Sequence, residues 1–209
     1  MADLIETAGA THVMTMTLHS PQVHGFFRIP IDPLTARGEF IHHLGNRGYL
    51  ATDTVVVAPD AGGAKSAARF GELLRLPVAV ATKTRVSDTQ VQIDPLVGRQ
   101  VQGFRRAIVY DDEIATGGSV AELCGVLMDN GIQDIVVACT HGLFMGAAID
   151  RLGHIPCISE IVTTDTVQVP TSKRLPNMTV LTVAEVFADA IARNYRHESL
   201  GSLFSAGEG

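Results

Sequence analysis

Charge is scarce in this 209-residue chain: charged residues make up 18%, the net charge is −6, and no Lys or Arg cluster offsets that acidic balance. A nucleic-acid-binding surface needs basic residues gathered on one face, so that class of partner is excluded and any phosphate must be bound locally. No apolar run approaches membrane-spanning length, and residues 1–10 lack the basic and apolar regions of a signal peptide. Neither a membrane nor a secreted location is therefore expected. Cys124, Cys139 and Cys157 are odd in number and scattered through apolar contexts. They read as buried free thiols of a reducing, cytoplasmic compartment. Internal repeats, low-complexity segments and the dinucleotide-binding G-x-G-x-x-G are all missing, and the glycine spacing before Lys65 and Ser66 does not make a P-loop.

What is present organises itself around residues 106–119, where a short apolar run meets Asp111 and Asp112 and then the small-residue loop Ala115-Thr116-Gly117-Gly118-Ser119. Beyond it Val120, Leu123, Cys124, Leu127 and Met128 recur at helical spacing, with Asn130-Gly131 as a stop. The loop therefore stands at a helix N-terminus, where glycines let backbone N–H groups converge on an anion and the helix dipole favours negative charge. Carboxylates at the end of a buried strand suit sugar hydroxyls or Mg²⁺. Either feature alone would make an ordinary polar turn with Ser119 as N-cap; together they suit a sugar phosphate.

A second strand–loop–helix unit precedes it: the apolar run 54–58, the loop Pro59-Asp60-Ala61-Gly62-Gly63, and a helix with Ala67, Phe70, Gly71 and Leu74 on one face. A third strand, 78–82, leads into Lys83-Thr84-Arg85 and a polar, loosely patterned run to Gln102. Taken alone, two such cations suit a solvated edge. Residues 135–139, 158–163 and 179–181 supply further strands. Thr182-Val183-Ala184-Glu185 reads as a capping box for a helix with Val183, Val186, Phe187, Ala190 and Ile191 inward. Residues 19–34 carry three prolines and cannot be continuous helix or central strand. Strands alternating with helices predict an α/β parallel sheet.

The string 111–119 resembles the ribose 5-phosphate-binding signature of the type I phosphoribosyltransferase fold, with helices on both faces of the sheet. Together with Asp60-Ala61-Gly62-Gly63, Lys83-x-Arg85 and the carboxyl-terminal stretch 198–204, the chain resembles the ribose-phosphate pyrophosphokinases. That resemblance implies transfer of the diphosphoryl group of ATP to O1 of ribose 5-phosphate, with phosphoribosyl pyrophosphate as product. It implies that Asp111, Asp112, Ala115, Thr116, Gly117, Gly118 and Ser119 bind ribose 5-phosphate, and that Asp60 to Gly63 form the pyrophosphate-side loop. Lys83 and Arg85 would be catalytic, opening a lid that meets transition-state charge, while His19 and Asp60 would hold Mg²⁺. His141 is expected to fix a loop, with a catalytic role the lesser alternative.

The resemblance further implies that residues 1–37, with the tail 198–209, are the remnant of an amino-terminal domain, and that 38–197 form the ribose-phosphate-binding domain. A homo-oligomer, or a partner supplying the missing amino-terminal half, is then expected, and ATP binding by the chain alone should be weak. Two other readings remain: a non-catalytic or regulatory homologue that binds sugar phosphate, and a salvage phosphoribosyltransferase.

Overall fold

The computed structural model describes residues 1–85 and 91–204; residues 86–90 and 205–209 lie outside the description. The chain opens with α1 (Ala2–Thr7), β1 (Val13–Met16), a 3₁₀ turn (Pro21–Phe26), β2 (Ile31–Leu34) and α2 (Arg37–Asn46). There follow β3 (Thr54–Ala58), α3 (Ala64–Leu74), β4 (Val78–Val80), the short strands β5 (Lys83–Arg85) and β6 (Val91–Ile93), and α4 (Leu96–Gln100). Then come β7 (Arg106–Ile114), α5 (Gly118–Asp129), β8 (Asp134–Gly142), α6 (Ala148–Gly153), β9 (Ile158–Thr164), β10 (Met178–Leu181), α7 (Ala184–Tyr195) and α8 (Gly201–Phe204). Two compact units result, one of residues 1–38 and 182–209, the other of residues 39–181.

The larger unit is built on a six-stranded sheet, ordered β10-β9-β8-β7-β3-β4 and parallel throughout. Every residue of β3 is buried, as expected of a strand covered on both faces. Alternate residues explain the covering. Val55, Val57, Val109, Ile135 and Val137 pack in one cluster with Val97, Val120, Leu123, Leu127 and Leu152, which places α4, α5 and α6 on that face. On the other face Tyr110 stacks on Phe70 of α3 with ring centroids 4.0 Å apart and meets Phe40 of α2 edge-on at 6.0 Å. Such aromatic pairs add about 0.5–1.5 kcal/mol each beyond their buried area.

One buried carboxylate ties α2 to the sheet edge. Glu160 of β9 accepts from His43 Nε2 at 3.0 Å, from Arg47 Nε at 3.4 Å and from Thr179 Oγ1 of β10 at 2.5 Å. Burial pushes its pKa up, but the bonds from Thr179, Tyr49, His43 and Arg47 together outweigh that and hold it below the usual glutamate value.

The smaller unit contains β1 and β2, paired in parallel with Val13 opposite Ile31 and Thr15 opposite Pro33. The proline-rich segment thus holds a 3₁₀ turn and a short strand where a loop is expected from the sequence. Pro33 is tolerated because each strand of a two-stranded pair is an edge. In α7 the expected capping box does not form: Val183 is the N-cap, and Thr182 Oγ1 only accepts from Ala184 N–H at 3.2 Å. Ala190 and Val183 are buried but Ile191 is exposed.

Candidate functional site

Strand order alone marks one place on the larger unit. From β3 the chain crosses to β4 on one side, and the sheet then grows on the other side of β3 through β7, β8, β9 and β10. The order reverses between β3 and β7, and in open α/β sheets the crevice at the carboxyl ends of such strands is where ligands bind. The two loops that the sequence singles out, residues 59–63 after β3 and 115–118 after β7, leave the sheet at this point. The first of them faces the acids of β7: a Cβ built on Gly63 would lie 4.0 Å from Asp111 Oδ1.

The loop after β7 is shaped by one glycine. Gly117 has φ 68° and is the N-cap of α5; a Cβ there would also come within 3.4 Å of Leu152. Positive φ is open to glycine at little cost and strained for other residues. Gly118, Gly62 and Gly63 do not take positive φ, so the expected conformational need falls on Gly117 alone in these two loops. α5 carries no side-chain cap bond at its start, and Ser119 therefore does not act as the cap. Backbone donors of the first turn are left for an anion, helped by the dipole of a twelve-residue helix. Thr116 and Ser119 are exposed at this turn.

The loop is held from behind by the segment after β8. Phe144 N–H donates to the Ile114 carbonyl at 3.1 Å and Met145 N–H to the Ala115 carbonyl at 2.8 Å. Arg151 of α6 donates to the Thr116 carbonyl. These supports were not legible in the sequence, because α6 has only six residues and offers too short a pattern for periodicity to reveal.

Three carboxylates gather at the switch point. β7 runs on through Asp111 and Asp112 to Ile114, four residues past the apolar run. Asp112 N–H donates to Asp111 Oδ1 and Glu113 N–H to Asp112 Oδ1, each at 2.9 Å, while Gly63 N–H donates to Asp60 Oδ1 at 3.1 Å. The Asp111 carboxyl is pushed up to about 8, first by burial, then by the hydrogen bond and charge of Asp112, with the charge of Asp60 adding to the effect. A sugar hydroxyl or a cation brought here would meet a site whose own charges repel one another.

Lys83 and Arg85 mark the two ends of β5, which pairs antiparallel with β6 as a separate two-stranded sheet. The run after Arg85, expected to be loosely patterned, therefore contains β6 and α4; its residues 86–90 lie outside the described set, as do the side chains of Lys83 and Arg85. His19 is exposed, and Thr17 two residues before it has φ 44°, an uncommon conformation for a β-branched residue. His19 belongs to the smaller unit and Asp60 to the larger. His141 Nδ1 lies 2.9 Å from Thr166 Oγ1, which donates to the Thr140 carbonyl, so the ring at the end of β8 is anchored to the segment after β9. Among the described residues no group of three or more His, Cys, Asp or Glu is arranged to hold a metal ion. A shallow cleft lined by Arg105, Arg106, Asp53 and Asp134 opens at the amino ends of β3, β7 and β8, the opposite end from these carboxylates.

The family model for the phosphoribosyl synthetase-associated domain matches residues 90–205. The chain belongs to the ribose-phosphate pyrophosphokinase, or phosphoribosyl synthetase, family. A putative ribose-phosphate pyrophosphokinase of Streptomyces coelicolor is 45% identical over 206 residues, covering 99% of this chain and 64% of the relative. The ribose-phosphate pyrophosphokinase of Clostridium acetobutylicum is 38% identical over 204 residues, covering 98% of this chain and 63% of its own. The crystal structure of phosphoribosylpyrophosphate synthetase from Mycobacterium smegmatis superimposes with a TM-score of 0.83 at 32% identity, over 94% of this chain and 62% of that one. This chain thus spans a little under two thirds of the length of these relatives. The parallel sheet with helices on both faces is the fold of this family. No described helix is long and apolar enough to cross a membrane.

Proposed function

We propose that the chain takes part in transfer of the diphosphoryl group of ATP to O1 of ribose 5-phosphate, forming phosphoribosyl pyrophosphate in the cytoplasm. The observation that carries this reading is the approach of Asp111, on the strand that leads into the Gly117 loop, to the Asp60–Gly63 loop at the switch point, in a chain of this family. The uncapped turn at Gly117, Gly118 and Ser119, with the Thr116 hydroxyl, takes the 5-phosphate; Asp111 and Asp112 take the ribose hydroxyls, with Ala115 lining the loop. The loop Asp60, Ala61, Gly62, Gly63 receives the diphosphoryl side.

In the reaction the ribose 1-hydroxyl oxygen attacks the β-phosphorus of ATP, the bond from that phosphorus to the α-phosphate oxygen breaks, AMP leaves, and the hydroxyl proton passes to solvent. Lys83 and Arg85 are assigned to the negative charge that grows on the transferring group, a positioning and electrostatic role that needs no covalent intermediate. The carboxylate set fits a divalent cation: burial first, then the hydrogen bond and charge of Asp112 and the charge of Asp60, push the Asp111 carboxyl up to about 8, and a cation would offset the charge part of that shift. Mg²⁺ is commonly held by one or two protein groups with substrate phosphates completing its shell, so a dedicated three-residue cluster is not required. Asp60 would hold it, and it would neutralise charge on the phosphates; His19, the other ligand the resemblance implies, belongs to the smaller unit. In this reading the smaller unit, residues 1–38 with 182–209, is part of an amino-terminal phosphoribosyltransferase-like domain, larger by α7 than the 1–37 with 198–209 that the resemblance implies, and residues 39–181 carry the sugar site.

The test is AMP release from ATP and ribose 5-phosphate with and without Mg²⁺, for the chain alone and for the chain supplied with the amino-terminal part of a longer relative. Mg²⁺-dependent AMP release in at least the second arm, lost in Lys83→Ala, is the expected result. No AMP in either arm, with ribose 5-phosphate still bound, would replace the transferase with a sugar-phosphate binder.

A further inference from the structure

Ile93 lies directly across the β5–β6 hairpin from Lys83, yet its N–H is given to a helix. It donates to Glu122 Oε1 of α5 at 2.7 Å. In an antiparallel pair, residues that exchange both ladder bonds alternate with residues whose N–H groups point out of the ladder. Asp94 N–H donates to the Thr82 carbonyl at 2.7 Å, which makes that pair a bonded one and turns the donor of Ile93 outward. A carboxylate receives it, and a bond to an ionised acceptor is shorter and stronger than a neutral one.

The place of Glu122 gives that bond its meaning. It stands four residues beyond Gly118, the first residue of α5, so one helix supplies both the amides at the phosphate loop and the acceptor at the hairpin base. Two strands without a third are marginal on their own, and among the described residues β5 and β6 pair only with each other. The direction of β5 therefore depends on what grips its base. Ile93 is 2% exposed, within the cluster that includes Val120 and Leu123 of α5. Gln100 brackets Val80, accepting from its N–H at 3.0 Å and donating to its carbonyl at 3.3 Å. Among the described residues, Glu122 is the polar group that joins this base to the phosphate-loop helix.

We propose that Glu122 is a positioning residue, which fixes the backbone opposite Lys83 and so ties the hairpin carrying Lys83 and Arg85 to the helix that takes the sugar phosphate. What Lys83 does there rests on the proposed function; the clamp itself rests only on the geometry of Ile93 and Glu122. Glutamine keeps a side-chain oxygen that can accept the same bond, though less strongly than a carboxylate.

The experiment compares wild type, Glu122→Ala and Glu122→Gln, by amide exchange at Ile93 without ligand, by ribose 5-phosphate affinity, and by AMP release with the amino-terminal part of a longer relative supplied. Removing the acceptor should speed exchange at Ile93 about tenfold in the alanine variant, the factor expected for one lost hydrogen bond, with glutamine close to wild type. A misplaced reacting group costs up to about 100-fold in rate, so AMP release should fall about 10- to 100-fold in alanine and return with glutamine, while sugar-phosphate affinity holds. Unchanged exchange at Ile93 would overturn the clamp. Equal turnover loss in both variants, or affinity falling in step with turnover, would overturn the positioning role. If wild type neither binds ribose 5-phosphate nor releases AMP, the proposed function fails, and the exchange at Ile93 still decides whether the clamp exists.

Discussion

Asp111 is the residue at which fold and chemistry pull in opposite directions. Burial, then the hydrogen bond and charge of Asp112 and the charge of Asp60, raise its carboxyl from 3.8 to about 8, which favours the protonated form at neutral pH. A group whose pKa is raised on folding stabilises the protein fully below its unfolded value and loses that contribution as pH rises through the folded one. The window here runs from about 4 to about 8. Asp111→Asn, which cannot ionise, should therefore gain in melting temperature relative to wild type as pH rises from 5 to 9 in the absence of sugar phosphate and divalent ions. Each kcal/mol corresponds to about 2–4 °C in a chain of this size. A difference between variant and wild type that stays constant across that range, read by scanning calorimetry, would show that Asp111 is not strained. Cys124 and Cys139, both pushed up to about 12 by burial, are inert thiols at any such pH.

At the scale of elements, α2 depends on a single acid. Glu160→Gln leaves His43 and Arg47 without their carboxylate, and removing a buried charge from its partners is destabilising, less so on the side of the exposed arginine. Because the Glu160 pKa is lowered from 4.5, its contribution is present above that pH and is lost as pH falls through the folded value. Urea unfolding should show a large deficit in the variant at neutral pH that shrinks at about pH 3.5; an equal deficit at both would contradict the ionic part of the bond. The elements legible in the sequence are those whose burial is complete and regular. β3 shows as an apolar run, and α3 as Ala67, Phe70, Gly71 and Leu74, all buried as its spacing indicates. β2 was hidden by Pro33, β6 and α6 by their brevity, and Glu122 and Arg151 by bonds to residues 29 and 35 positions away. Local patterns carry no trace of partners so distant in sequence, whereas the glycines and acids of the switch-point loops announce themselves because their chemistry is local.

For the whole molecule, the smaller unit exposes Leu4, Phe26, Ile191 and Tyr195, and its sheet is only a parallel pair. Parallel strands are ordinarily covered on both faces, so the unit is expected to acquire cover from a second copy or a partner chain, and light scattering should give a mass above that of one chain; a monomer at high concentration would contradict this. The proposed sugar site makes no such demand, since all of its loop residues belong to the larger unit. Calorimetric titration of ribose 5-phosphate into wild type, Asp111→Ala and Gly117→Val therefore tests the central claim most directly. Loss of a charge-assisted contact, or of the left-handed turn that aims the α5 amides, should weaken binding at least about tenfold in each variant. Equal affinity in all three would place the sugar phosphate somewhere other than the switch point.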